Sequence, residues 1–149
     1  MDENLVGSGV IEWLGTRYRT LLRSEEAGGS MSIVESLSPV GSGPPRHVHD
    51  REDETFVLLK GACDFWLDGK IFSKQQGDTV FIPRGTEHTF RSVGPISSWH
   101  LVILTPGGFE GFFGEMADGQ FRIPEDMQAI SISAGRHNLR FTGPPLGVD

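Results

Sequence analysis

The chain has 149 residues, a formal net charge of −7 and one cysteine, Cys63. That length suits a single domain, 1–149, with its own core, and the intermixed acidic and basic residues leave no basic footprint for nucleic acid. No apolar run approaches a membrane span or a signal h-region, and a lone cysteine fits a reducing compartment, so the expected location is cytoplasmic.

Twenty glycines and nine prolines suit short strands and frequent turns. Residues 1–16 read as an irregular arm with a short apolar stretch, Val10 to Leu14. Arg17 to Arg23 alternates charge and bulk, which predicts a half-buried strand, and Glu25 to Gly29 is a turn. Met31 to Leu37 follows as a strand, with Met31, Ile33 and Glu35 on one face. Ser38 to Pro45 is a Gly/Pro loop, and Pro44-Pro45 favours extended backbone just beyond it. The acidic run Asp50 to Asp53 reads as a solvated loop that lowers the local potential.

Thr55 to Lys60 is nearly continuous in apolar residues, the pattern of a strand covered on both faces. Ala62 to Leu67 and Lys70 to Lys74 are joined by Asp68-Gly69, a hairpin signal. Thr79 to Ile82 and Glu87 to Val93 flank the turn Pro83-Arg84-Gly85, and Ser97 to Leu104 is the last strand, ended by Thr105 to Gly108. Strands at this spacing predict an all-β sandwich or barrel, its core at about 17–104. Beyond it, about 109–149 reads as a helical extension. Phe109, Phe112, Phe113 and Met116 fall on one stripe of an amphipathic helix, and Pro124 to Ala134 forms a second helix with Gly135 at its end. The Phe stripe reads as a lid or wall over an interior site, or more plainly as packing against the outside of the barrel or a subunit partner.

The chemistry concentrates between Gly41 and His88. In a strand, residues i and i+2 share a face, so His47 and His49 project together. Glu54 opens the next strand, and His88 returns after the Pro83–Gly85 turn; four ligands from three adjacent strands need a sheet curled onto itself. Three imidazoles and one carboxylate suit one divalent transition metal and leave room for exogenous ligands. Glu54 can stay bound as a ligand, or swing off and act as general base. Arg84 and Glu87 are candidates to orient His88. His100 and His137 read as a structural and a solvated histidine, Cys63 as a small core residue, and Trp66 and Trp99 as lining a cavity or filling the core. Gly61 and Gly85 fit corners that need positive φ.

Gly41, His47, His49, Glu54 and Gly61, followed by Gly77, Pro83, Gly85 and His88, resemble the two conserved motifs of the cupin superfamily, with Ser92 where the second motif ends in Asn. No internal repeat is present, so the resemblance is to a single-domain cupin. Further segments, among them Pro44 to His49, Phe81 to Gly85 and Thr105 to Phe113, are similar to the quercetin 2,3-dioxygenase-like cupins. The resemblance implies a jelly-roll β-barrel and a metal (Fe, Mn, Ni, Co, Cu or Zn) on His47, His49, Glu54 and His88. It also implies a homodimer and ring-opening oxygenation of an enol or flavonol-like small molecule, with neither nucleic acid nor membrane as partner. A non-redox cupin isomerase, cyclase or decarboxylase is the alternative, and a non-catalytic metal or small-ligand-binding cupin the third class.

Overall fold

The computed structural model describes residues 5–147, so residues 1–4 of the expected arm lie outside it. The strands are β1 (Ile11–Trp13), β2 (Thr16–Leu22), β3 (Ser32–Ser38), β4 (Pro45–His49), β5 (Asp53–Lys60), β6 (Ala62–Leu67), β7 (Lys70–Gln75), β8 (Thr79–Ile82), β9 (His88–Val93), β10 (Ser98–Thr105) and β11 (Leu139–Pro145). Two helices, α1 (Glu110–Gly119) and α2 (Met127–Arg136), come between the last two strands. Neither is long and apolar enough to cross a membrane.

All pairings are antiparallel, as hairpin-connected strands allow. They build a six-stranded sheet, β1-β2-β3-β10-β5-β8, and a five-stranded sheet, β11-β4-β9-β6-β7, the two halves of an all-β jelly roll. Alternation decides what lies between them. On β10, Ser98, His100, Val102 and Leu104 are buried while Trp99, Leu101 and Ile103 are half-buried on the other face. Phe56 on β5 meets Phe65 and Phe90 of the other sheet at ring separations of 5.4 and 5.2 Å, both edge to face.

Several expectations change. β5 is not covered on both faces: Glu54, Phe56 and Leu58 are buried, but Leu59 is 42% exposed. The apolar stretch in the N-terminal arm forms β1, an edge strand whose Trp13 is buried and donates Nε1–H to the Phe121 carbonyl at 2.7 Å. α2 starts at Met127, with Pro124 in the turn before it, and runs past Gly135. After α2 the chain does not stay helical: Leu139 to Pro145 returns as β11 and pairs with β4. The strand holds Gly143, Pro144 and Pro145 because an edge strand needs few of its N–H groups for the ladder and tolerates proline.

Trp66 and Trp99 neither line a cavity nor fill the core, because the strand phase turns both outward. Trp66 lies under the Arg46 guanidinium, 3.8 Å from its carbon, and Trp99 donates Nε1–H to Glu35 at 2.8 Å. The same Glu35, buried on the outer face of β3, takes the Arg19 guanidinium at 2.8 Å. Cys63 is a fully buried core thiol, its pKa raised by burial.

Candidate metal centre

His47, His49, Glu54 and His88 do converge: one donor atom from each lies within 4.8 Å of the others, and all four side chains are buried. The strands that carry them are not three neighbours in one sheet. β4 and β9 are neighbours in the five-stranded sheet, whereas Glu54 on β5 reaches across from the six-stranded sheet. The β4–β9 pairing sets His47 opposite His88. The Pro83–Gly85 turn holds this end of the site in place: Gly85, at φ +81°, donates its N–H to the His49 carbonyl at 2.8 Å. At the other corner Gly61 also has positive φ, and a Cβ there would stand 2.7 Å from the Ser97 carbonyl oxygen. Ser92, in the place of the motif's asparagine, ties β9 inward by accepting the Ser98 N–H and donating to the Ser38 carbonyl, both at 3.2 Å.

The imidazoles present nitrogen lone pairs inward. His47 Nδ1–H donates to the Pro45 carbonyl at 2.8 Å and His88 Nδ1–H to the Thr86 carbonyl at 2.9 Å, which leaves Nε2 of each for the centre. Neither Arg84 nor Glu87 orients His88; a backbone carbonyl does. Arg84 instead pairs with Asp53 at 3.2 Å. His88 Nε2 lies 3.0 Å from Glu54 Oε1, and His49 Nε2 lies 3.5 Å from Glu54 Oε2. His49 Nδ1 is buried without a hydrogen-bond partner, and the edge of its ring meets Phe109 at 4.5 Å.

Electrostatics follow from burying these groups together. Burial pushes the Glu54 carboxyl up, but His49, His88 and His47 more than reverse that and hold it at about 2. Burial also disfavours charge on His88, yet the hydrogen bond and charge of Glu54 outweigh it and raise its pKa. His47 is held well below the ordinary imidazole range by burial and by the His88 and His49 imidazoles, and His49 is lowered chiefly by burial. The donor set therefore fits a divalent cation: three imidazoles that can each offer a nitrogen once neutral, and a carboxylate that stays ionised beside them, with the ion taking the place of any proton that Glu54 favours on His88.

The acidic run is solvated in part: Asp50 and Arg51 are exposed as expected, but its carboxylates are not all free. Asp50 is clamped by Arg140 of β11 at 2.8 Å and Asp53 by Arg84, while Glu52 is buried, its carboxyl raised to about 7 by burial and by Glu54. These pairings join residues far apart in the chain.

His47, His49 and Glu54 of this group line one end of a cavity of about 130 Å³. Phe56 and Phe90 from the sheets, Phe109, Phe112 and Phe113 from the start of α1 and Phe141 from β11 form its walls. The Phe stripe is thus a wall of the cavity and not packing on the outside of the barrel. Tyr18 stacks on Phe113 at 4.3 Å, and burial pushes its phenol up. His100 is no fourth imidazole ligand, but it faces the cavity, fully buried, its Nδ1 2.6 Å from Ser36 Oγ. His137 is not solvated: it caps α2 and pairs with Glu115 of α1, which Arg136 and Ser133 also engage. Trp13, Tyr18, Ser36 and Phe141 are cavity residues that spacing alone does not single out; the inward phase of β10 is the signal that could have placed His100.

Residues 34–107 match the family described as Cupin domain. Quercetin 2,3-dioxygenase of Bacillus subtilis (strain 168) is 30% identical over 101 residues, 68% of this chain and 30% of that protein. Oxalate oxidase 1 of Hordeum vulgare is 34% identical over 101 residues, 62% of this chain and 45% of that protein. The chain thus spans less than half the length of either relative. Among solved structures, KdgF from Halomonas sp. superposes with a TM-score of 0.58 at 19% identity, covering 74% of this chain and 93% of that one. With the family match, the jelly-roll topology and the His-x-His, Glu and His motif residues gathered at one buried centre, the chain belongs to the cupin superfamily.

Proposed function

We propose that the chain is a metal-dependent dioxygenase of the quercetin 2,3-dioxygenase-like cupin type, acting on an enol-bearing small organic molecule. The observation that carries this reading is the placement of three imidazoles and one ionised carboxylate at the end of an aromatic cavity. The identity to quercetin 2,3-dioxygenase and to oxalate oxidase supports it.

His47, His49, Glu54 and His88 would hold a divalent redox metal, which would supply Lewis acidity towards a chelating oxygen pair and a path for electrons to O2. The chain's own residues do the rest. The backbone carbonyls of Pro45 and Thr86 fix the ring orientation of His47 and His88. Glu54, ionised at neutral pH, is the group placed to take the proton of an incoming enol hydroxyl. Phe109, packed against His49, and Phe112 and Phe113 beside it keep bulk water from the reacting carbon atoms.

The test is metal content by elemental analysis, then oxygen uptake with hydroxypyrone and flavonol substrates after anaerobic loading of Fe, Mn, Ni, Co or Cu. Substrate-dependent oxygen loss at one metal per chain is the expected result. One metal per chain with no oxygen loss for any of these ions overturns the dioxygenase reading and leaves the non-redox isomerase, cyclase or decarboxylase class.

A further inference from the structure

The cavity has two polar ends. One is the four-residue metal group; the other is His100 of β10 with Ser36 of β3, cross-strand partners whose side chains meet at 2.6 Å. The His100 ring sits among apolar ones, 5.5 Å from Phe56 and perpendicular to Phe90 at 5.4 Å. Burying an imidazole among aromatic rings is costly without polar partners, and an apolar residue would fill the same core space more cheaply. The Ser36 Oγ stands 2.6 Å from Nδ1 and 3.4 Å from Nε2; with its hydroxyl donating to the nearer Nδ1, Nε2–H has only that long contact and is the donor for a ligand oxygen.

Two further observations set the ligand's chemistry. No lysine or arginine is found among the described residues lining the cavity, so a carboxylate or phosphate at this end meets no counter-charge. The cavity volume of about 130 Å³ is close to the roughly 150 Å³ of an engineered cavity that admits benzene, enough for one ring and not three.

Resting on the metal-dependent reading above, we infer that His100, held by Ser36, is a specificity-determining residue. It receives the distal hydroxyl or carbonyl oxygen of a neutral, single-ring enol whose chelating oxygens face His47, His49 and Glu54. The substrate class narrows accordingly from flavonols to one-ring hydroxyenones without an anionic tail.

Allomaltol, kojic acid and comenic acid test this directly. They share one hydroxypyrone ring with the same chelating oxygen pair and differ across the ring in a methyl, a hydroxymethyl or a carboxylate group. Their binding to the zinc-loaded protein is measured by titration calorimetry, where no oxygen chemistry intervenes. Kojic acid is expected to bind about fivefold to tenfold more tightly than allomaltol, the yield of one buried hydrogen bond, and comenic acid more weakly than both. His100→Phe should abolish the difference between kojic acid and allomaltol while allomaltol affinity and zinc stoichiometry stay as in the wild type. Ser36→Ala, which frees the imidazole to turn, should reduce the difference at least threefold and serves if His100→Phe does not fold.

An equal affinity for kojic acid and allomaltol in the wild type, a difference that survives in the variant tested, or tightest binding of comenic acid overturns the assignment. Absence of pyrone binding to zinc-loaded protein does the same. Because these measurements need no turnover, the binding pattern can hold while oxygen uptake fails, so the inference and the dioxygenase reading fall separately.

Discussion

His47 and His88 face each other across the β4–β9 pairing with ring centres 4.3 Å apart, and each donates Nδ1–H to the carbonyl two residues before it, Pro45 in one case and Thr86 in the other. The same short local device thus sets both rings from opposite strands. It depends on local backbone alone, so the ring orientation is in place before any ion arrives.

That preorganisation separates two variants. His47→Ala and His88→Ala should each lower metal affinity by more than about 100-fold, a loss beyond that seen for outer-shell partners, with the β-fold retained by circular dichroism. Without metal the two differ. His88→Ala removes the 3.0 Å partner of buried Glu54 and should cost roughly 2–3 kcal/mol in urea unfolding, while His47→Ala leaves that contact intact and costs less. Equal unfolding midpoints for the two metal-free variants would contradict the ion pair.

Glu54→Gln keeps the size of the side chain and three imidazoles. Under saturating metal it should still hold one ion per chain, while turnover falls by about 100-fold or more, the usual yield of a positioned base. Elemental analysis beside kcat decides this; loss of the ion at saturation would make Glu54 chiefly a ligand.

The pH dependence of stability follows from His100, whose pKa is depressed to about 4 because burial disfavours its charge. The unfolded chain binds this proton below about pH 6.5 and the folded one does not, so stability is full above 6.5 and is lost as pH falls towards 4. The loss is roughly 3 kcal/mol for this group. In the metal-free protein His47 and His49, also lowered, act in the same direction, and His88, raised, opposes them. His100→Phe should flatten the profile of urea midpoint against pH between 6.5 and 4; an unchanged slope would mean that the imidazole is protonated in the fold.

Gly43 lies in the loop that closes one side of the cavity, and a Cβ on it would stand 2.0 Å from the Phe90 carbonyl oxygen. Backbone on both sides cannot yield as a flexible side chain would. Gly43→Ala should therefore destabilise the protein by about 2–3 kcal/mol or more, read as a drop in melting temperature.

The ligand group was legible because its information is local. A two-residue alternation puts His47 and His49 on one face, and glycine and proline punctuation marks where the neighbouring strands end. What lay beyond the sequence was long-range. The ion pairs of Asp50 and Asp53 were not readable because their partners, Arg140 and Arg84, are 90 and 31 residues away. Trp99 and Trp66 matched any cavity-lining aromatic by composition, while the tryptophan that lines the cavity, Trp13, sits in an arm whose pairing to β2 was not apparent. β11 was hidden for another reason: Leu139 and Phe141 alternate as strand residues do, but Gly143-Pro144-Pro145 carries the local signature of a loop.

The split of the ligand set has a mechanical side. Three of its members stand on one sheet and the fourth on the sheet opposite, so an ion held by all four would act as a rivet through the jelly roll, fastening β4 and β9 to β5. Pulling the sheets apart then requires breaking coordination, and the ion's binding energy becomes resistance to unfolding. At a free metal concentration a thousand times Kd that resistance would be about 4 kcal/mol.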